Sequence, residues 1–179
     1  MTDPDSLFAR LQSDKSRKRP PISTWNPSQR GNSGMRITAD GRWFHLGSEI
    51  RRPEMVRLFS TILRRDGEHT FLVTPAEQLS IEVDDAPFVA IDVEARGVGT
   101  AQCLVFLTNV DDIVEADAAH AVRLIGTPPH VRPYVLVRDG LEALISRPVY
   151  YRLAELTTTG PDGNVGLWSN GVFFDWGRA

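Results

Sequence analysis

The sequence predicts an α+β fold of two small related units, each a mainly antiparallel sheet with one principal helix. Three observations carry that expectation. Short apolar segments follow one another between turn-forming residues, at the spacing of antiparallel sheet. Two helix-length stripes each begin at a proline. One hairpin is also written twice: MRITADGRWFHLG, Met35 to Gly47, returns 130 residues downstream as VGLWSNGVFFDWG, Val165 to Gly177. Gly41 falls on Gly171, Phe44 on Phe174 and Gly47 on Gly177, while Asp40 and Asn170 share turn chemistry.

A chain of 179 residues suffices for one domain or two small ones with a real core. Its 41% hydrophobic and 24% charged content is ordinary for globular proteins. A net charge of −3 and a pI of about 5.8 give no overall basic field, so nucleic acid is not an expected partner. Cys103 stands alone, which excludes an internal disulfide and a multi-cysteine metal site. The absence of an apolar run of ~18 residues predicts no membrane span. With no signal-peptide pattern at the N-terminus, a cytoplasmic location is expected. The oligomeric state is left open.

Residues 1–30 read as a flexible arm. DSLFARLQSDK offers a short amphipathic stretch through Leu7, Phe8 and Leu11. KSRKRPP then places Lys15, Arg17, Lys18 and Arg19 before Pro20 and Pro21, a charge run of the solvated kind, with an anion- or RNA-contacting tail as the alternative. Trp25 is expected to pin the arm to the body. The first unit, 31–85, opens with the Asp40-Gly41 hairpin, read as a two-residue type I′ turn. A helix follows near 53–65, started by Pro53 and Glu54 and striped by Val56, Phe59, Ile62 and Leu63, with Arg64 and Arg65 at its negative end. TFLVT and LSIEV complete the unit as strands.

The second unit, 86–179, contains the strands PFVAIDVEA, QCLVFLT, YVLVR and LEALI. A helix is expected near 148–157. Shifted by 95 residues, Ile50, Arg52, Pro53, Arg57 and Leu58 land on Ile145, Arg147, Pro148, Arg152 and Leu153, which suggests an internal duplication with altered connectivity. NVDDIVEADAAH lacks the ligand register of a calcium loop and reads as a solvated acidic connection.

With Asp40-Gly41 as a two-residue loop, Thr38 faces Trp43, Ile37 faces Phe44 and Arg36 faces His45. Ile37, Phe44, Met35 and Leu46 then form the core face; Leu167/Phe174 and Val165/Trp176 do so in the second copy. The opposite face presents Trp43 for stacking and Arg36 and His45 for an anion, with Ser48, Arg51 and Arg52 adjoining at a helix start. Arg132, Tyr134, Arg147 and Trp168 are the residues with which the second unit would close the cleft. The competing view pairs Arg36 and Arg52 with Glu49, Glu82 or Asp84 as a structural lock.

No phosphate loop, nucleophile elbow, H-E-x-x-H or cysteine–histidine cluster occurs, so no catalytic residue, metal ligand or cofactor is expected. The segments MRITADGRWFHLGSEIRRPEMVRLFSTILRRDG, LVTPAEQLSIEVDDAPFVA, LTNVDD, RPYVLVRDGLEALISRPVYYRL and GLWSNGVFFDWG together resemble a bacterial family of uncharacterised proteins known only as a domain of unknown function. The resemblance implies a duplicated α+β core whose second half is pleckstrin-homology-like. It also implies a site between the halves for a nucleotide-like molecule and a regulatory or signalling role. The functional expectation is a non-enzymatic module binding an anionic, nucleotide-like ligand between the two units. The alternatives are a protein-interaction domain, or a phosphate-ester hydrolase working through His45 and the arginines.

Overall fold

In a computed structural model, which describes Pro4, residues 20–127 and residues 130–177, the chain divides into two units, Met1–Pro87 and Phe88–Ala179. The first holds β1 (Gln29–Ile37), β2 (Trp43–His45), β3 (Ser48–Glu49), helix α1 (Pro53–Ser60), β4 (Leu63–Asp66), β5 (His69–Val73) and β6 (Glu77–Val83). Its six strands run in the order β3-β2-β1-β6-β5-β4. The central β1–β6 pair is parallel and every other pair is antiparallel.

The second unit holds β7 (Phe88–Arg96), β8 (Cys103–Thr108), β9 (Ile113–Glu115), β10 (Val122–Ile125), β11 (Arg132–Arg138), β12 (Leu141–Ile145) and helix α2 (Arg147–Glu155). Its order is β10-β11-β12-β7-β8-β9, with β7 and β12 parallel. Traced from the other edge, this is the path of the first sheet with each strand number raised by six. Each sheet is two meanders of three strands joined along a parallel centre. The fold is therefore α+β with two related units, and the relation lies in the sheet path.

The repeated sequence hairpin is not that relation. Residues 165–177 form β14 (Val165–Ser169) and β15 (Val172–Gly177), which join β13 (Thr158–Thr159) in a separate three-stranded sheet. The helices are not equivalent either, since α1 lies between β3 and β4 whereas α2 follows β12. What the two hairpins share is a left-handed glycine in the turn, and what the two helices share is a proline at the start.

The hairpin loops differ in length, and this corrects the expected pairing. Thr38 N donates to Arg42 O (2.9 Å) and Gly41 N to Thr38 O (2.8 Å), which leaves Ala39, Asp40 and Gly41 as a three-residue loop. Only Gly41 has a positive φ there (82°), as a type I turn closed by a left-handed glycine requires. The extra residue shifts the register to Met35–His45, Arg36–Phe44 and Ile37–Trp43. A one-residue shift exchanges the faces of a strand. In the second copy both Asn170 (47°) and Gly171 (75°) are left-handed, so the loop has two residues and the expected Leu167–Phe174 and Trp168–Phe173 pairs form. A bulge then sets Val165 against Gly177 instead of Trp176.

Helix α1 ends at Ser60, short of the expected residue 65. Thr61 Oγ1 donates to Leu58 O and Ser60 Oγ to Arg57 O (both 2.7 Å), drawing the last carbonyls away from further helix. Ile62 and Leu63 are buried, but Leu63 opens β4, so Arg64 and Arg65 belong to a strand. The arm expected through residue 30 also ends sooner. Ile22 is buried, Arg64 Nη1 donates to the carbonyl of Trp25 (2.8 Å), and β1 begins at Gln29. The readings on Leu7, Phe8, Leu11 and the Lys15–Arg19 run lie outside the described residues.

The acidic stretch after β8 is more structured than a solvated connection. It contains β9, and Asp117 Oδ1 accepts from the backbone of Ala119 and His120 (both 2.8 Å). Asp112 pairs with Arg138, whose guanidinium lies 4.7 Å from the Phe88 ring centroid. Among the described residues, no helix is long and apolar enough to cross a membrane.

Candidate functional site

A bulge in β1 builds the most distinctive surface of the first unit. Asn32 stands opposite Ser80 and Arg36 opposite Glu82, so Ser33, Gly34 and Met35 together face Ile81. Gly34 takes a φ of 67°, where L side chains are strained. Local bonds satisfy the interrupted ladder. Ser33 Oγ donates to Ser80 O (2.7 Å) and accepts from Met35 N (3.0 Å), while Asn32 Oδ1 accepts from Gly34 N (2.7 Å). Bulges of this kind bend a strand and re-aim its side chains. Here Met35 and Ile37 stay buried while Arg36 turns outward.

Arg36 is fixed on that outward face. Its Nε donates to Asp84 Oδ1 (2.7 Å) and its Nη2 to Asp84 Oδ2 (2.8 Å), the bidentate geometry that guanidinium and carboxylate share. These hydrogen bonds, then the charge of Asp84, hold the Arg36 pKa above its ordinary value, and the charge of Glu82 adds to them. The side chain is 54% exposed, and among the described residues its Nη1 makes no hydrogen bond. Phe44 is its cross-strand neighbour, with Arg42 over the ring at 5.5 Å. Arg36, Phe44, Asn32, Gly34, Thr38 and Glu82 are among the residues lining a pocket of about 400 Å³. A second pocket of about 620 Å³ adjoins it along β5 and β6, sharing Asn32 and Glu82.

The expected site residues divide between the two faces. Trp43 is not outward: it is 1% exposed, its ring 6.3 Å from that of Phe59. His45 lies opposite the buried Met35, on the other face from Arg36, so the two side chains do not confront each other. Trp43 Nε1 and His45 Nε2 are both buried without a hydrogen-bond partner. Ser48 pairs with His45 in the β2–β3 hairpin, and Arg51 is 84% exposed beside Glu49 (3.3 Å). Arg52 is the N-cap residue of α1. Of the six first-unit residues proposed, only Arg36 lines the pocket. Its partner is Asp84, one of the carboxylates that the competing view named.

In the second unit, Arg132 and Arg147 are exposed at the starts of β11 and α2. Tyr134 is 7% exposed within β11 and so forms no wall of an open cleft. Trp168 is half-buried on β14, its ring centroid 5.2 Å from that of Phe173. These four residues therefore sit on three separate elements. Phe44, Gly34, Asn32 and Glu82 were missed as site residues; the loop length at 39–41 is the signal for Phe44, while the β1 bulge against β6 places the other three. Among the described residues, no group of three or more His, Cys, Asp or Glu side chains could hold a metal ion.

Comparison with known proteins bears on the whole chain. The N-terminal domain model of DUF1285, a domain of unknown function, matches residues 20–86, and the C-terminal domain model matches residues 87–176. The chain is similar to a DUF1285 family protein from Silicibacter pomeroyi DSS-3 of solved structure, with a TM-score of 0.89 and 47% identity over 97% of this chain and 95% of that one. It is also similar to a DUF1285 family protein from Shewanella baltica OS155, with a TM-score of 0.56 and 25% identity over 69% of this chain and 92% of that one. Comparison with curated proteins finds no match.

Proposed function

Because the chain belongs to the DUF1285 family, a family of unknown function, we propose from its own geometry that it works as a cytoplasmic, non-enzymatic ligand-binding module in regulation or signalling. The ligand lies on the outward face of the first sheet, with a flat part against Phe44 and a negative group against Arg36. One observation carries this reading: Asp84 holds the guanidinium through Nε and Nη2, and Arg36 lines the pocket with Nη1 making no hydrogen bond among the described residues. A donor fixed before binding loses little side-chain freedom on meeting an anion. Glu82 restricts the approach, so the negative group enters from the Phe44 side. The pocket, about 400 Å³, is of a size that suits a small molecule.

The non-enzymatic part rests on the absence of a working pair around Arg36 among the described residues. Asp84 is engaged by Arg36, and His45 is turned to the opposite face, so a hydrolase acting jointly through His45 and Arg36 has no support in this arrangement.

Thermal-shift measurements against nucleoside monophosphates, dicarboxylates and inorganic phosphate test the reading, with Arg36→Met and Phe44→Ala beside the unaltered chain. Stabilisation by one compound class, lost in both variants, is the expected result. Absence of any shift across the panel would overturn ligand binding, and turnover of a stabilising compound would overturn the non-enzymatic part.

A further inference from the structure

Arg36 meets two carboxylates on the outward face. Asp84 takes it in a bidentate pair (2.7 and 2.8 Å). Glu82 is its partner in the parallel β1–β6 ladder and acts on it by charge alone, without a hydrogen bond. One guanidinium against two carboxylates leaves this group a net charge of −1. Arg36 and Glu82 are both exposed, and both line the pocket of about 400 Å³. The adjoining pocket shares Glu82; Glu68 and Asp84 line it too, and no arginine or lysine does. The face is thus polar in charge, positive at Arg36 and negative from Glu82 onward.

That arrangement sets a condition on any ligand. A bare anion at Arg36 finds the guanidinium already matched by Asp84, and Glu82 repels it. A ligand with an ammonium beside its negative group meets both signs with the complementary one. Adjacent strands lie ~4.8 Å apart, so the side chains of Arg36 and Glu82 rise from the sheet one strand spacing apart. Neighbouring charges of a single small molecule span such a gap. Glu82 then serves as the repulsive element that specificity needs beside the attractive one at Arg36.

Resting on the ligand face at Arg36 and Phe44 described above, we infer that its ligand is a small zwitterion, of the class of an aromatic α-amino acid. The carboxylate lies on Arg36, the ammonium on Glu82 and the ring against Phe44, three residues that line one pocket. Purely anionic molecules bind the same face more weakly, because they leave Glu82 opposed.

Calorimetric titration of the full chain with L-phenylalanine, hydrocinnamate and phenethylamine tests this. The three carry the same ring with both charges, the negative one alone and the positive one alone. The unaltered chain should bind L-phenylalanine about ten-fold tighter than either of the others, the scale of one hydrogen bond to a charged group. Glu82→Gln should bring L-phenylalanine and hydrocinnamate to within about two-fold of each other. Glu82 is exposed, so the melting temperature should not move. Hydrocinnamate binding as tightly as L-phenylalanine, a preference that survives Glu82→Gln, or no binding of L-phenylalanine would each overturn the inference. If an anion of the thermal-shift panel still stabilises the chain through Arg36, the ligand face stands and only the zwitterion falls. If neither that panel nor these three molecules bind, both fall.

Discussion

Ile37 faces Trp43 across the first hairpin, and this pairing decides which side chains the first sheet turns outward. Trp43 goes beneath the sheet against Phe59, and Phe44 comes up beside Arg36. The energetic consequence is an asymmetry between adjacent aromatic residues. Trp43→Ala should cost about 3–5 kcal/mol, the range for truncating a buried tryptophan. Phe44→Ala, at a half-buried position, should cost no more than about 1.5 kcal/mol. Denaturant unfolding of the two variants measures both. A larger loss for Phe44 would restore the two-residue turn and its register.

The loop that sets this register is pH-sensitive. The Thr38 hydroxyl, then the Arg42 guanidinium, hold the Asp40 carboxyl below its ordinary pKa. A depressed folded-state pKa contributes stability that is present above the unfolded value, ~3.9, and is lost as pH falls through the folded one. Asp40→Asn should therefore cost up to about 1 kcal/mol at pH 7, discounted for solvent exposure. Its difference from the unaltered chain should shrink as the pH falls from the unfolded value through the lowered folded one. Thermal unfolding from pH 2 to 7 checks this, and a difference independent of pH would refute it.

Arg138 and Asp112 in the second unit form an enclosed ion pair, with side chains 9% and 13% exposed. Removing one partner of such a pair strands the other charge, at about 3–5 kcal/mol. Arg138→Met should approach that loss, and it also removes the cation over Phe88. Adding Asp112→Asn should recover part of it, because the stranded carboxylate is gone. Chemical denaturation of the single and double variants decides; no recovery would mean that Asp112 has little share in the cost.

The strands that were legible in the sequence are those whose alternation is clear, such as LSIEV and LEALI, which became β6 and β12. The edge strand β4 reads LRRD, whose arginines suit a helix end as well, because its shape comes from pairing with β5 and not from its own pattern. The parallel centres, β1–β6 and β7–β12, join segments tens of residues apart and leave no local signature. Two turns that share a glycine and similar neighbours suggested one duplication, while the actual one lies in the sheet path. In the site, Arg36 and its pairing with Asp84 were within reach of sequence reasoning. Phe44 was not, since Asp40-Gly41 serves a two-residue or a three-residue loop, and the face of every β2 side chain depends on which forms.

The most direct test of a ligand face at Arg36 and Phe44 is a protein-observed NMR titration with adenosine monophosphate as the flat anionic probe. The account predicts saturable shifts of the Gly34, Arg36 and Phe44 amides, abolished in Arg36→Met while the rest of the spectrum stays folded. Saturable shifts that leave those three amides unmoved, or that survive Arg36→Met, would contradict it.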